Sequence, residues 1–161
     1  MEAILFKAFK ERLGAAQITD NPLLLETLLN TSEDLQFLEA SFSKEETDEV
    51  IANMPSDKSP GPDDFNVPFL KACWDIIAPN FYRLIADFHA GSINMQSINY
   101  FYITLIPKKD SIVVPGDYRP ISLLNYTLKI ITKLLANRLQ KVIITLVHEN
   151  QYGLLNDKSI K

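Results

Sequence analysis

Cysteine is almost missing from this chain of 161 residues: Cys73 stands alone, so no internal disulfide can form. With His89 and His148 the only histidines, no zinc constellation of ordinary spacing can be assembled either. Both histidines lie far from any serine or cysteine in a triad-like setting, which leaves hydrolase chemistry without support. No apolar run approaches the roughly 18 residues that span a bilayer, and Met1 to Lys10 lack the cationic-then-apolar order of a secretory leader. The expectation is a reducing, intracellular location, cytoplasmic or nuclear, with no membrane partner. Internal repeats and low-complexity tracts are also missing, which excludes solenoids and long polar tails.

What is present is globular: 47% hydrophobic and 22% charged residues suit one buried core. The net charge of −4 hides a sorting along the chain. Residues 1–100 carry 7 basic and 16 acidic side chains, whereas residues 101–161 carry 9 basic and 4 acidic. A basic last third can meet phosphates, although a solvated helix face explains such a cluster equally well.

Leu5, Phe6, Phe9 and Leu13 at helical spacing, closed by Gly14, predict a short helix. Residues 15–43 read as a linker with marginal helix. Ser43-Lys44-Glu45-Glu46 is a capping box that should start a second helix, with Val50, Ile51 and Met54 inward and Pro55 as its stop. Asp57 to Asp64, rigidified by Pro60 and Pro62, reads as a turn-rich connector, and neighbouring Asp63 and Asp64 as solvated carboxylates. Helix returns from Pro68, with Phe69, Leu70, Cys73, Trp74 and Ile77 on one side and Pro79 as a break or a new first turn. Phe81, Leu84, Ile85 and Phe88 carry the pattern to Gly91.

Residues 100–106 are aromatic and β-branched and predict a strand; 120–124 predict its hairpin partner, with Pro115-Gly116 in the turn. Alternate members of Tyr100, Phe101 and Tyr102 are expected to be buried. Last, Leu128, Ile131, Leu135, Leu139, Val142 and Leu146 form one apolar stripe. On that reading Lys129, Lys133 and Lys141 stand away from the core, and Arg138 lies beside the seam. Lys108, Lys109 and Arg119 flank the ribbon and are candidates to clamp phosphate, Lys as a mobile point charge and Arg as a planar fork. The competing reading is a solvated turn with Arg119 paired to Asp117.

Read in order, Lys58-Ser59-Pro60-Gly61-Pro62-Asp63, Leu105-Ile106-Pro107-Lys108-Lys109, Asp117-Tyr118-Arg119-Pro120-Ile121-Ser122-Leu123, Lys133-Leu134-Leu135-Ala136-Asn137-Arg138-Leu139 and Asn150-Gln151 resemble the reverse transcriptases of plant-type LINE (non-LTR) retrotransposons. The resemblance covers residues 42–160, so residues 1–41 are expected to be a variable connector and 42–161 part of the polymerase domain. It implies an α+β, mostly helical fold: the fingers and beginning of the palm of a right-hand polymerase, with a short β-hairpin. It also implies that Arg119, helped by Lys108 and Lys109, contacts the phosphates of an incoming nucleotide. Lys129, Lys133, Lys141 and Gln151 would lie along an RNA or DNA template-primer, and the palm and thumb that follow in the family are expected partners.

Four departures from the family pattern stand out. Asp64 replaces a usual Gly, where the turn calls for positive φ; Leu128 replaces Tyr, Leu154 replaces Phe, and Lys158 replaces Arg. The family's catalytic aspartates, which hold its magnesium ions, lie beyond residue 161. The chain alone is therefore expected to have no catalytic or metal-binding residue, to need no cofactor, and not to polymerise. The alternative is a small α-rich module that binds nucleic acid or protein without catalysis.

Overall fold

The computed structural model describes residues 2–14 and 35–147. The expectations for residues 15–34, His148, Gln151 and the tail to Lys161 fall outside the described residues. The described elements are α1 (Glu2–Leu13), α2 (Gln36–Glu39), α3 (Lys44–Asn53), α4 (Val67–Ala72), α5 (Trp74–His89), β1 (Phe101–Pro107), β2 (Tyr118–Leu124), α6 (Tyr126–Gln140) and α7 (Ile143–Leu146). This is the mixed, mostly helical architecture that the residue pattern predicts, with one two-stranded antiparallel sheet. Among the described residues, no helix is long and apolar enough to cross a membrane.

Local chemistry sets most of the boundaries. Gly14 ends α1 at φ +70, returning its N–H to the Lys10 carbonyl. Ser43 Oγ accepts from Glu46 N at 3.1 Å while the Glu46 carboxylate accepts from Ser43 N at 2.9 Å, the reciprocal cap expected from the sequence. Asn66 caps α4 by accepting from Phe69 N. Pro79 neither breaks nor begins a helix; it sits inside α5. The break falls instead at Cys73, whose carbonyl collects the N–H groups of Ile76 and Ile77. A proline so near the start of a helix removes only one intrahelical donor, so the helix continues past it.

Val50 and Ile51 of α3, Ile85 of α5, and Ile130 and Leu134 of α6 form the main core, with Phe42, Trp74, Phe81 and Leu84 packed around it. A second cluster joins Val67 and Leu70 of α4 to Tyr126 at the start of α6. Trp74 is a core-flanking residue, as expected, and its indole N–H is bound by Asp48, which also accepts from the Tyr82 hydroxyl. Phe69 points outward, stacked parallel on Phe65 at 5.4 Å.

Of the predicted stripe, Ile131 and, beyond α6, Val142 are buried, but the face that α6 buries departs from it at Leu135 and Leu139. Tyr126, Ile130, Ile131, Leu134 and Arg138 are buried, whereas Leu135 and Leu139 are exposed. The buried row advances in steps of four and has Tyr and Arg at its ends, so a pattern read from aliphatic residues alone selects the neighbouring row. Arg138, only 6% exposed, is held by the Glu46 carboxylate at 2.7 Å and by the carbonyls of Ala40 and Ser41. It lies over the Phe42 ring at 4.0 Å.

In the hairpin, Phe101 pairs with Leu124 and Pro107 with Tyr118, in unbroken register. Ile103 and Leu105 share a face, and Leu5, Phe6 and Phe9 of α1 lie over it. Tyr100, Phe101 and Tyr102 are all exposed. Expected burial of alternate members fails because a ribbon of two strands has no second layer behind these positions.

Candidate functional site

The site grows from the loop between α3 and α4. Gly61 packs so tightly on the end of β2 that an added Cβ would collide with the Leu124 carbonyl and the Asn125 amide. That approach brings Asp63 to the start of α6, where its carboxylate accepts from Tyr126 N at 2.8 Å. Asp63 is thus a capping anion and not a solvated one, which suits the positive end of a helix. The Tyr126 hydroxyl donates to the Lys58 carbonyl, and Lys129 Nζ donates to the Ser59 carbonyl at 3.0 Å while lying 4.2 Å over the Tyr126 ring. Asp64 closes the loop at φ 54, the left-handed geometry that the sequence flagged.

Between this loop, α3, β2 and α6 opens a cavity of about 760 Å³. Its floor is apolar, with Val50, Met54, Val67, Ile121, Leu123 and Tyr126. Its rim carries Lys58, Lys129 and Lys133. Strand alternation places Arg119 on the same face of β2 as Ile121 and Leu123, about 7 Å before Ile121. Arg119 is exposed, and its side chain makes no hydrogen bond or ion pair with the described residues. Lysine ammonium groups and a guanidinium without a partner among the described residues therefore flank an apolar trough, an arrangement that suits a ligand with flat apolar parts joined by anionic ones.

The predicted lysines divide by environment. Lys129, expected on the solvent side, is half-buried, and burial pushes its ammonium below the usual lysine range, with Asp63 partly opposing. Its position in the first turn of the helix, three residues after Tyr126, turns it back onto the loop. Lys133 and Lys141 are exposed and line a second, more polar cavity of about 360 Å³ with Asn53, Asn137 and Gln140, opposite the carboxylates of Glu46 and Glu49. The two cavities adjoin at Asn53 and Lys133.

Lys108 and Lys109 sit beside Arg119 on the ribbon, as expected, but both have partners. Lys108 Nζ donates to the Gly116 carbonyl at 2.8 Å, and Lys109 pairs with Asp117 at 2.8 Å. Arg119 therefore does not pair with Asp117. Asp117 also accepts from Val113 N and Val114 N, and Lys109 together with these amides holds its carboxyl down to about 2. A carboxylate depressed in the fold adds stability above its unfolded value near 3.8, and that stability is lost as pH falls through about 2. The Val113 and Val114 amide resonances should accordingly titrate together with a midpoint near 2, and in Asp117→Asn that transition should vanish.

Sequence reasoning overlooked Asp63 and Lys58 as parts of the site, because both looked like ordinary loop residues until Gly61 docked the loop on β2. Among the described residues, no three His, Cys, Asp or Glu side chains gather as metal ligands.

Residues 106–161 match the sequence model of the family described as reverse transcriptase (RNA-dependent DNA polymerase). The chain is also 31% identical, over 115 residues, to the transposon TX1 uncharacterized 149 kDa protein of Xenopus laevis. That alignment takes in 71% of this chain and 9% of the relative, so the chain spans under a tenth of that protein's length.

Proposed function

Because the chain belongs to the reverse transcriptases of non-LTR retrotransposons, we propose that the trough between β2 and α6 holds nucleic acid or a nucleotide within the fingers and the beginning of the palm. Arg119 meets phosphate at one end, and Lys58 and Lys133 meet it at the other. The apolar floor of Ile121, Leu123 and Tyr126 takes base and sugar. Lys141, Asn137 and Gln140 extend the track along α6 toward a template backbone. Lys129 serves this site indirectly by fastening the Ser59 loop, and Lys108 and Lys109 serve it by shaping the hairpin connection that presents Arg119.

The carrying observation is the alignment of Arg119, whose side chain has no partner among the described residues, with Ile121 and Leu123 on one strand face leading toward the lysine-rimmed cavity. Arg119→Gln with Lys133→Gln should weaken binding of unstructured single-stranded RNA by about an order of magnitude at low salt. The slope of log affinity against log salt should flatten by about 1.4 if each cation neutralises one phosphate. Arg83→Gln, on the exposed side of α5, is the control. Filter binding across a salt series reads both quantities, and equal slopes for the double variant and the control remove the trough from the reading.

On the same reading these 161 residues bind without polymerising. Nucleotidyl transfer needs two divalent ions held by carboxylates, and no such grouping is found among the described residues. Primer extension with magnesium, using the purified chain, should yield no product; extension that survives a control preparation overturns this part.

A further inference from the structure

We propose that the apolar tip of the hairpin connection, Ile112 to Val114, is a fixed wedge that enters between bases where paired nucleic acid opens into a single strand. This rests on the nucleic-acid reading of the trough.

Ile112, Val113 and Val114 are three consecutive β-branched residues in solvent, and Val113 is 82% exposed. A run of exposed apolar residues is unfavourable unless something uses it. Here the backbone beneath it is heavily tied. The Asp117 carboxylate accepts from Val113 N at 2.9 Å and Val114 N at 3.1 Å, and Asp117 N donates to the Val114 carbonyl. Lys108 N donates to the Asp117 carbonyl, and Lys108 Nζ binds the Gly116 carbonyl. From behind, Ile4 and Leu5 of α1 back the same tip. The tip is thus ordered in advance, and inserting it costs little additional conformational freedom.

The surroundings select the occupant. Lys108, Lys109 and Arg119 flank the tip and the Arg12 guanidinium lies next to Gly116; Asp110 and Asp117 share the connection, Asp117 paired with Lys109, so four cations face two carboxylates. A small apolar point between cations matches the side chains that part base steps while positive groups hold the adjoining phosphates. Continuity gives the direction: β2 leaves the tip at Tyr118 and reaches the trough at Ile121, roughly 10 Å further on. A strand lying in the trough would therefore leave its partner at the tip.

The test uses the full chain and a forked duplex carrying 2-aminopurine in the first base pair of the junction. Wild type should raise the probe's fluorescence several-fold at saturation. Ile112→Ser with Val113→Ser, both at exposed positions, should hold the signal near its free value while affinity for an unstructured single strand stays within about twofold. An equal rise with the serine variant overturns the wedge and leaves the trough reading intact. No rise with wild type, while single-strand binding persists, does the same. If single-strand binding fails but a serine-sensitive rise at the junction remains, the trough reading falls and the wedge stands. Sedimentation with anionic phospholipid vesicles that depends on Ile112 and Val113, without unstacking of the probe, overturns the wedge in favour of a lipid surface.

Discussion

Arg138→Met is expected to lower the unfolding free energy by about 3 kcal/mol, read as a lower urea midpoint of Trp74 fluorescence at an unchanged slope. The guanidinium carries five N–H donors, and the fold uses them on the two Glu46 oxygens and the carbonyls of Leu38, Ala40 and Ser41. Methionine fills similar volume over Phe42 but removes all five bonds, leaving Glu46 with only the Ser43 amide and the three carbonyls with only what solvent can reach them. The residues so fastened, 38–41, lie on the connector side of the boundary expected from sequence. Arg138 therefore stitches the segment ahead of α3 to the far end of α6. Arg138→Lys should recover only part of the loss, because one ammonium cannot reproduce the planar fork.

The pH dependence of this effect has a definite sign. Hydrogen bonding from Arg138 is the largest cause holding the Glu46 carboxyl below its ordinary 4.5; burial opposes it, and the Ser43 amide assists. A lowered folded value means that the contribution is complete above about 4.5 and shrinks as pH falls below it. The gap in stability between wild type and Arg138→Met should accordingly narrow in acid. A gap that stays constant between pH 7 and 3 would assign the effect to packing on Phe42 instead of the ion pair.

How far the sequence revealed this arrangement depended on the range of the forces involved. The Ser43 cap and the Gly14 stop depend on neighbours within a few residues and were visible, as was the presence of two strands, though not their register. The left-handed geometry at Asp64 was visible too, because few side chains favour it and the resembled family places glycine there. The buried face of α6 was hidden by a near tie: the row through Leu128, Leu135 and Leu139 is more aliphatic than the row through Tyr126, Ile130, Leu134 and Arg138. Only the tertiary partners decide between them, namely Lys58 for the Tyr126 hydroxyl and Glu46 for Arg138. The same holds for the site. Arg119 on the ribbon was legible from its motif, whereas Asp63, 63 residues away from the amide it caps, had no local signature.

Gly61→Ala should be the other severe change, and it should affect function as well as stability. A Cβ at residue 61 would press on the Leu124 carbonyl oxygen and stand 2.5 Å from that carbonyl carbon and 2.7 Å from Asn125 N. These atoms are backbone at the joint between β2 and α6, so no side chain can rotate away to relieve the contact. The loop must lift. Lifting it removes the Asp63 cap from Tyr126 N and separates the Lys58 and Ser59 carbonyls from Tyr126 and Lys129. Overpacking of a close contact costs about 1–3 kcal/mol, and a lost cap adds about 1, so a total near 3 kcal/mol is expected. Because the loop forms one wall of the trough, single-strand affinity should fall even where the chain remains folded, for example at low temperature. Asp63→Asn separates the two effects: it keeps an acceptor for Tyr126 N but removes the charge at the helix start, so it should cost under about 1 kcal/mol and leave affinity unchanged. If Gly61→Ala unfolds near the wild-type urea midpoint with affinity intact, the loop is not docked on β2, and the trough loses the wall on which the proposed binding depends.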